Sequence, residues 1–278
     1  MSPYGRFHSP MRYRSLFLSD LHLGSRGCRA DKLLAFLRLH EADHIYLVGD
    51  TFDFWHRRAV HWTPHHDFII DLLRRREQQG VKIVRLPGNH DPLSLTGENI
   101  HPQLASLAAT VGPVIHKAAD KRRYLVLHGD CCDFWHGRSY TVSRLGSGID
   151  WYLRSRQELR RSGRPDGGAD EPAPLRLINR VGSILKYRGR IEQRLIALAR
   201  QNGADGIICG HLHKPALQTR NGIVYANCGD WVSSLSAIAE DTLGRFSLID
   251  WSSCPSLLLS DTATTIPVSE PESETATA

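Results

Sequence analysis

The chain has 278 residues, 41% apolar and 23% charged, enough to build one large or two modest domains around a buried core. That balance excludes a coiled coil, a collagen-like chain and a wholly disordered protein. Six cysteines without a CxxC spacing argue against a disulfide scaffold, and the net charge of +6 is too modest to name a partner by itself.

No apolar run approaches the roughly 18 residues needed to cross a bilayer. The opening MSPYGRFHSPMRYRSLFLSD has only a short apolar stretch before Asp20, so residues 1–12 read as a leader and not as a secretory signal. A cytoplasmic protein is expected. From residue 13 short β-rich runs alternate with helical patterns. YRSLFLSD (13–20) reads as a strand ending at Asp20, with His22 just beyond. ADKLLAFLRLH (30–40) places Leu33, Phe36 and Leu37 on one side of a helix. HIYLVGD (44–50) is a second strand, ending at Asp50, with Asp53 in the following turn. DFIIDLLRRREQQG (67–80) is a helix stopped at Gly80. VKIVRLPGNHD (81–91) closes on Asn89, His90 and Asp91, and YLVLHGD (124–130) carries His128.

The next strand end, GIICGHLH (206–213), brings His211 and His213, and GIVYANCGDW (222–231) follows. Between His128 and His211 the chain is longer than a single βα connection requires. Residues 137–202 are therefore expected to form an inserted basic helical lid. Within 138–200 thirteen Arg and one Lys face six acids, a surplus of eight positive charges. GIDWYLRSRQELRR (148–161) and LRLINRVGSILKYRGR (175–190) read as its helices, with SGRPDGGADEPAP (162–174) as a linker and IEQRLIALARQNG (191–203) as a further helix. In the second, Leu177, Ile178, Val181, Ile184 and Leu185 give an apolar face bordered by Arg176, Arg180, Lys186 and Arg188. Such a face suits either packing on the main domain or contact with acyl chains, its cations meeting phosphate or an anionic membrane surface. The main domain is expected over 13–251. Residues 252–278, rich in Ser, Thr, Ala and Pro with four acids and no base, read as a disordered acidic tail.

Strand–helix alternation indicates an α/β layered domain, in which sites gather beyond the carboxyl ends of strands. Those ends hold Asp20, His22, Asp50, Asp53, Asn89, His90, Asp91, His128, His211 and His213. Taken singly, an Asp after a strand is a turn residue and a His is a hydrogen-bonded side chain. Five strands all ending in metal-capable groups point instead to a metal site. The two-residue spacing of Asp20 with His22, and of His211 with His213, is expected to put each pair on one face of a strand. An echo between GDTFDFWH (49–56) and GDCCDFWH (129–136) is compatible with two loops solving the same packing problem.

The blocks D-x-H, GD-x-x-D, GNHD, a later H and GH-x-H, in that order over about residues 15–250, resemble the calcineurin-like metallophosphoesterases. SDLHLG, LVGDTFDFW, LPGNHD, YLVLHGD, GHLHKP and CGDW are similar to the UDP-2,3-diacylglucosamine diphosphatase-like group. The resemblance implies an αββα fold, two packed mixed sheets flanked by helices, with a helical insertion. It implies two divalent ions, with Asp20, His22, Asp50 and His213 on one and Asp50, Asn89, His128 and His211 on the other. Carboxylate, imidazole and amide ligands suit Mn, Fe or Zn better than Ca, and Mn is the expected cofactor. It implies hydrolysis of a nucleotide-linked glycolipid diphosphate to UMP and acyl-sugar 1-phosphate by metal-activated water. His90 would be catalytic, oriented by Asp53, while Asn89 and His211 would also face substrate. Asp133, close after HGD, is expected as a substrate contact, whereas its neighbours Phe134 and Trp135 serve equally well as packing residues.

Two departures bear on the substrate. Phe54 and Trp55 stand where protein phosphatases of the superfamily carry a phosphate-gripping Arg, and His90 stands where several lipid A diphosphatases carry Arg. A general phosphodiesterase or a nuclease on the same centre is the alternative, although scattered Arg without an aromatic platform makes nucleic acid a poor fit. A non-catalytic scaffold is a third reading, opposed by the presence of all seven ligands.

Overall fold

In the computed structural model the described residues are 10–53, 60–91, 112–133 and 174–254, with only the backbone described for 174–186. Phe54, Trp55, Phe134 and Trp135, the expected leader through residue 9, the tail from 255 and most of the expected lid lie outside them.

Among the described residues ten strands form two five-stranded mixed sheets. The first contains β1 (Met11–Leu18), β2 (His40–Val48), β3 (Lys82–Leu86), β9 (Ser236–Glu240) and β10 (Phe246–Asp250), in the order β10-β9-β1-β2-β3. The second contains β4 (Val114–Lys117), β5 (Arg123–Val126), β6 (Gly206–Cys209), β7 (Ala216–Arg220) and β8 (Ile223–Asn227), in the order β4-β5-β6-β8-β7. β1, β2 and β3 run parallel, as do β5, β6 and β8, while β9 pairs antiparallel with β1 and β10, β4 with β5, and β7 with β8.

The central strands are apolar on both faces, and their alternation builds the layers. Phe17, Tyr46, Val48 and Val84 point to the second sheet, where they meet Tyr124, Val126, Ile208 and Ala226. Their neighbours Leu16, Leu18, Ile45 and Leu47 point outward onto helices α1 (Ala30–Leu39) and α2 (Pro64–Gln78) through Leu33, Phe36, Leu37, Ile69, Ile70 and Leu73. Leu125, Leu127, Ile207 and Cys209 face the other way and are covered by α3 (Pro174–Gln201) through Ile191, Leu195, Ile196 and Ala199. Helix, sheet, sheet, helix is the expected layering.

The structure redraws the end of the insert. Residues 175–190 and 191–203 are not separate helices, because Pro174–Gln201 is one helix. Its last turns carry core residues, so a lid reaching to 202 would include part of the fold itself. Among the described residues no helix is long and apolar enough to cross a membrane. Helix α2 begins three residues before its expected start. Pro64 opens it, and the Thr63 N–H donates to His66 Nδ1 (3.0 Å).

At the end of the sandwich away from the strand-end Asp and His residues, a buried carboxylate ties the sheets together. Glu240 accepts from Arg14 (2.7 and 2.9 Å), Ser15 Oγ (2.6 Å) and the Ala119 N–H (2.8 Å), and lies 2.8 Å from His116 Nε2. Burial opposes the charge, but His116, Ser15 and Ala119 outweigh it and hold the carboxyl at about 2.

Candidate metal centre

The parallel strands of both sheets end at the same edge, and the polar clusters follow within a few residues of each end. Backbone hydrogen bonds knit these loops across the sheets. Asp20 N–H donates to Gly49 O (3.1 Å), His22 N–H to Asp50 O (3.0 Å), Gly210 N–H to His128 O (3.0 Å) and Trp231 N–H to Asp20 O (3.1 Å).

The spacing of these residues does not place them on a shared strand face. β1 stops at Leu18 and β6 at Cys209, so Asp20, His22, His211 and His213 lie beyond the strands and not on one strand face. All four, with Asp50, adopt left-handed backbone, φ between 48° and 64°. That conformation costs a non-glycine residue about 1 kcal/mol or more. The turns redirect the chain just past each strand and bring Asp20, His22 and His213 together. Outliers of this kind gather at functional sites.

Among the described residues three groups of potential ligand atoms lie within 4.8 Å of one another: Asp20, His22 and His213; Asp20, Asp50 and His128; and His22, Asp53 and His90. His213 Nε2 is 3.0 Å from Asp20 Oδ1, and His128 Nε2 is 3.3 Å from Asp50 Oδ2 and 3.2 Å from Asn89 Oδ1. The outer nitrogens have acceptors of their own. His128 Nδ1 is 3.0 Å from Val48 O, and His213 Nδ1 is 3.5 Å from Asp230 Oδ2. An imidazole whose outer N–H is held by an oxygen presents its other nitrogen as a ligand. His211 belongs to none of the three groups; its ring meets that of His128 edge-on at 5.2 Å, and its Nε2 is 3.2 Å from Asp133 Oδ2.

Asp53 sits between two imidazoles, 3.6 Å from His22 Nδ1 and 3.6 Å from His90 Nδ1. The His90 backbone N–H donates to Asp50 Oδ1 (2.7 Å), which fixes the GNHD loop on the central carboxylate. Geometry alone also admits His90 as a member of a His22–Asp53–His90 cation cluster.

The donor set suits divalent cations. Burial disfavours charge on Asp20, Asp50 and Asp53, yet the surrounding imidazoles hold all three carboxyls well below their ordinary range: His213, His128 and His22 around Asp20, His128, His90 and His22 around Asp50, His22 and His90 around Asp53. Burial likewise opposes protonation of the imidazoles. Asp20 and Asp230 nevertheless push His213 up to about 10, Asp50 and Asp20 push His128 well up, and Asp53 and Asp50 raise His90. Buried carboxylates and imidazoles converge in the arrangement that metal binding exploits by displacing protons. His22 Nε2 is buried without a hydrogen-bond partner, as coordination would require.

Two supporting residues, Ser19 and Asp230, were not singled out in the sequence, and Asp91, which was, also props the site. Ser19 Oγ is at hydrogen-bonding distance of Asp20 Oδ2 and of Val48 O (2.8 Å). Asp230 also accepts from the Val232 N–H (2.8 Å), and the apolar strand before GDW was its available signal. Asp91 accepts from the N–H groups of Phe52 (3.0 Å) and Gly88 (2.9 Å); burial and the charge of Asp50 raise it to about 6. Two glycines are dictated by close approach. A Cβ on Gly210 would overlap Ser19 Oγ and Asp20 Oδ2, and one on Gly88 would overlap Asp50.

Residues 13–215 match the family model described as "Calcineurin-like phosphoesterase". The chain belongs to that family. This phosphoesterase is 27% identical over 232 residues to a UDP-2,3-diacylglucosamine hydrolase of Ralstonia nicotianae, covering 77% of this chain and 82% of the relative. It is 28% identical over 253 residues to the protein of the same name from Vibrio cholerae, covering 84% and 96%. Among solved structures it is similar to Yfce, a phosphoesterase from E. coli, at 15% identity and a TM-score of 0.40, covering 86% of this chain and 99% of that one. The phosphoesterase is thus a hydrolase of a metal-using family, carrying clustered groups able to hold metal.

Proposed function

We propose that this phosphoesterase hydrolyses the diphosphate of UDP-2,3-diacylglucosamine, or of a similar nucleotide-linked glycolipid, to UMP and acyl-sugar 1-phosphate. The observation that carries the reading is the convergence of Asp20, His22, Asp50, Asn89, His128 and His213 from both sheets on one edge, in a chain aligned over most of its length with relatives named for that substrate.

One divalent ion would be held by Asp20, His22, Asp50 and His213 and a second by Asp50, Asn89, His128 and His211, with Asp50 shared; Mn is the ion of choice, with Fe or Zn able to substitute. Bound there, the ions supply charge stabilisation at the phosphoryl oxygens and acidify water. His90, raised by Asp53 and Asp50, holds a proton for the leaving oxygen, and Asp53 orients its ring. Asn89 and His211 face the phosphate as well as a metal. The basic stretch over 138–200 would meet phosphate and the anionic inner face of the cytoplasmic membrane, where a glycolipid substrate resides.

The test is turnover by Mn-reconstituted protein of UDP-2,3-diacylglucosamine, bis-p-nitrophenyl phosphate and single-stranded DNA in parallel. Release of UMP from the glycolipid at the highest kcat/KM supports the reading. Turnover confined to the small diester or to DNA would replace it with a general phosphodiesterase or a nuclease.

A further inference from the structure

Asp133 ends the short turn Asp130–Cys132, and protein groups engage both of its oxygens. Oδ2 lies 3.2 Å from His211 Nε2, and Oδ1 accepts from Tyr187 Oη. That occupation differs from the substrate contact expected of it. Tyr187 belongs to α3, which seats on this turn along one helical stripe of Tyr187, Ile191, Arg194 and Leu195. Ile191 and Leu195 are buried, and Arg194 Nη1 donates to Cys132 O (3.1 Å).

A neutral imidazole offers one N–H and one lone pair, and an ionised carboxylate only accepts. With Tyr187 donating to Oδ1, the contact at Oδ2 makes Nε2 the N–H of His211. Its other nitrogen, Nδ1, is then the atom through which His211 would ligate a metal. The logic repeats that of His128 on Val48 O and of His213 on Asp230, each with an outer nitrogen on an oxygen and an inner one at the centre.

We propose that Asp133 and Tyr187 are positioning residues for the metal centre: Tyr187 holds Asp133, Asp133 holds His211 with Nδ1 inward, and α3 is thereby joined to the second ion's ligand set. The inference rests on the two-ion reading given above. It also gives α3 a part in the site beyond that of a cover for the second sheet.

The test titrates Mn(II) alone into the apo full-length chain by calorimetry, for wild type, Asp133→Asn, Asp133→Glu, Tyr187→Phe and the double variant, each first checked for a cooperative thermal unfolding transition. Wild type is expected to bind two ions. Asp133→Asn should weaken one of them by roughly 10–100-fold and spare the other, the usual consequence of losing a carboxylate behind a ligating histidine. Tyr187→Phe should weaken the same ion by less, and Asp133→Glu should recover part of the loss. The double variant should be no worse than Asp133→Asn, because Tyr187 acts through Asp133. Long-range nitrogen NMR of the Zn-loaded wild type should show the Nε2–H tautomer at His211. Unchanged Mn affinity in Asp133→Asn, with only KM raised, would make Asp133 a substrate contact and overturn the relay. Complete loss of one ion, equal to that in His211→Ala, would make it a ligand and overturn it too. A wild type that binds no Mn would defeat the metal reading itself, whereas unaffected variants beside a two-ion wild type would defeat the relay alone.

Discussion

Gly210→Ala adds one methyl group at the most crowded point of the site. The new carbon would overlap Ser19 Oγ and Asp20 Oδ2, and both residues are fully buried, so neither can swing into solvent. Overpacking of this kind costs about 1–3 kcal/mol. If Ser19 turns away, Asp20 Oδ2 or Val48 O loses a buried donor, at about 1–3 kcal/mol more. The combined loss, about 2–6 kcal/mol, is a large part of the 5–15 kcal/mol that holds a typical domain folded. The His211 N–H, bonded to Asp20 Oδ2 at 3.0 Å, must move with it, so metal binding should weaken alongside stability. Gly189→Ala is the control. Gly189 lies within α3, and a Cβ there meets nothing within 4 Å, so alanine should stabilise by about 0.5–1 kcal/mol through helix propensity. Urea unfolding and Mn content of both variants decide the matter. A Gly210→Ala protein with wild-type stability and full metal content would refute the packing argument, as would two glycine variants shifting in the same direction.

His90→Ala should keep both ions while kcat falls roughly 10²–10⁴-fold, the scale of lost proton-transfer help; metal loss matching that of His213→Ala, measured by elemental analysis, would place His90 among the ligands. Glu240→Ala should cost about 3–5 kcal/mol near neutral pH, because it leaves Arg14 and several N–H and O–H donors without their buried acceptor. The folded value of about 2 lies below the ordinary 4.5, so Glu240's contribution is complete above pH 4.5 and fades as pH falls toward 2. The stability gap between wild type and Glu240→Gln in denaturant melts should therefore narrow from pH 6 to pH 3; a constant gap would contradict the ionised, clamped carboxylate. Deleting residues 138–172, which leaves α3 intact, should spare hydrolysis of bis-p-nitrophenyl phosphate but collapse glycolipid turnover and binding to anionic vesicles. Equal loss of both activities would take the basic stretch out of substrate selection.

The fold was legible because its central strands are buried on both faces. Runs such as SLFL, IYLV and IIC have no polar face to confuse the pattern, and each ends in a polar cluster at the sheet edge. The same runs concealed what happens next: nothing in D-x-H or GHLH distinguishes a strand continuing through both ligands from a left-handed turn that begins after Leu18 or Cys209. Apolar spacing alone starts helix α2 at Asp67, whereas Thr63 and Pro64 carry the cap and first-turn signal of its true start. The sequence pattern divides α3 between residues 190 and 191, whereas packing of Ile191, Leu195 and Ala199 on the second sheet anchors one continuous helix. Asp133 and Tyr187, 54 positions apart, could be joined only by the folded structure, because no local motif links a turn to a helix on the far side of an insert.

Asp50 is the hub of the site, placed 3.3 Å from His128 and bonded to the His90 backbone N–H, with Asp20 completing the cluster around His128. The decisive measurement is the bound-metal stoichiometry of Asp50→Ala beside wild type after reconstitution with Mn, with hydrolysis assayed on the same samples. Two ions per wild-type chain, falling at both sites together with loss of turnover in the variant, is the expected result. A variant that retains two ions, or a wild type that hydrolyses its substrate equally well after chelation, would contradict a shared carboxylate at the centre of a two-metal hydrolase.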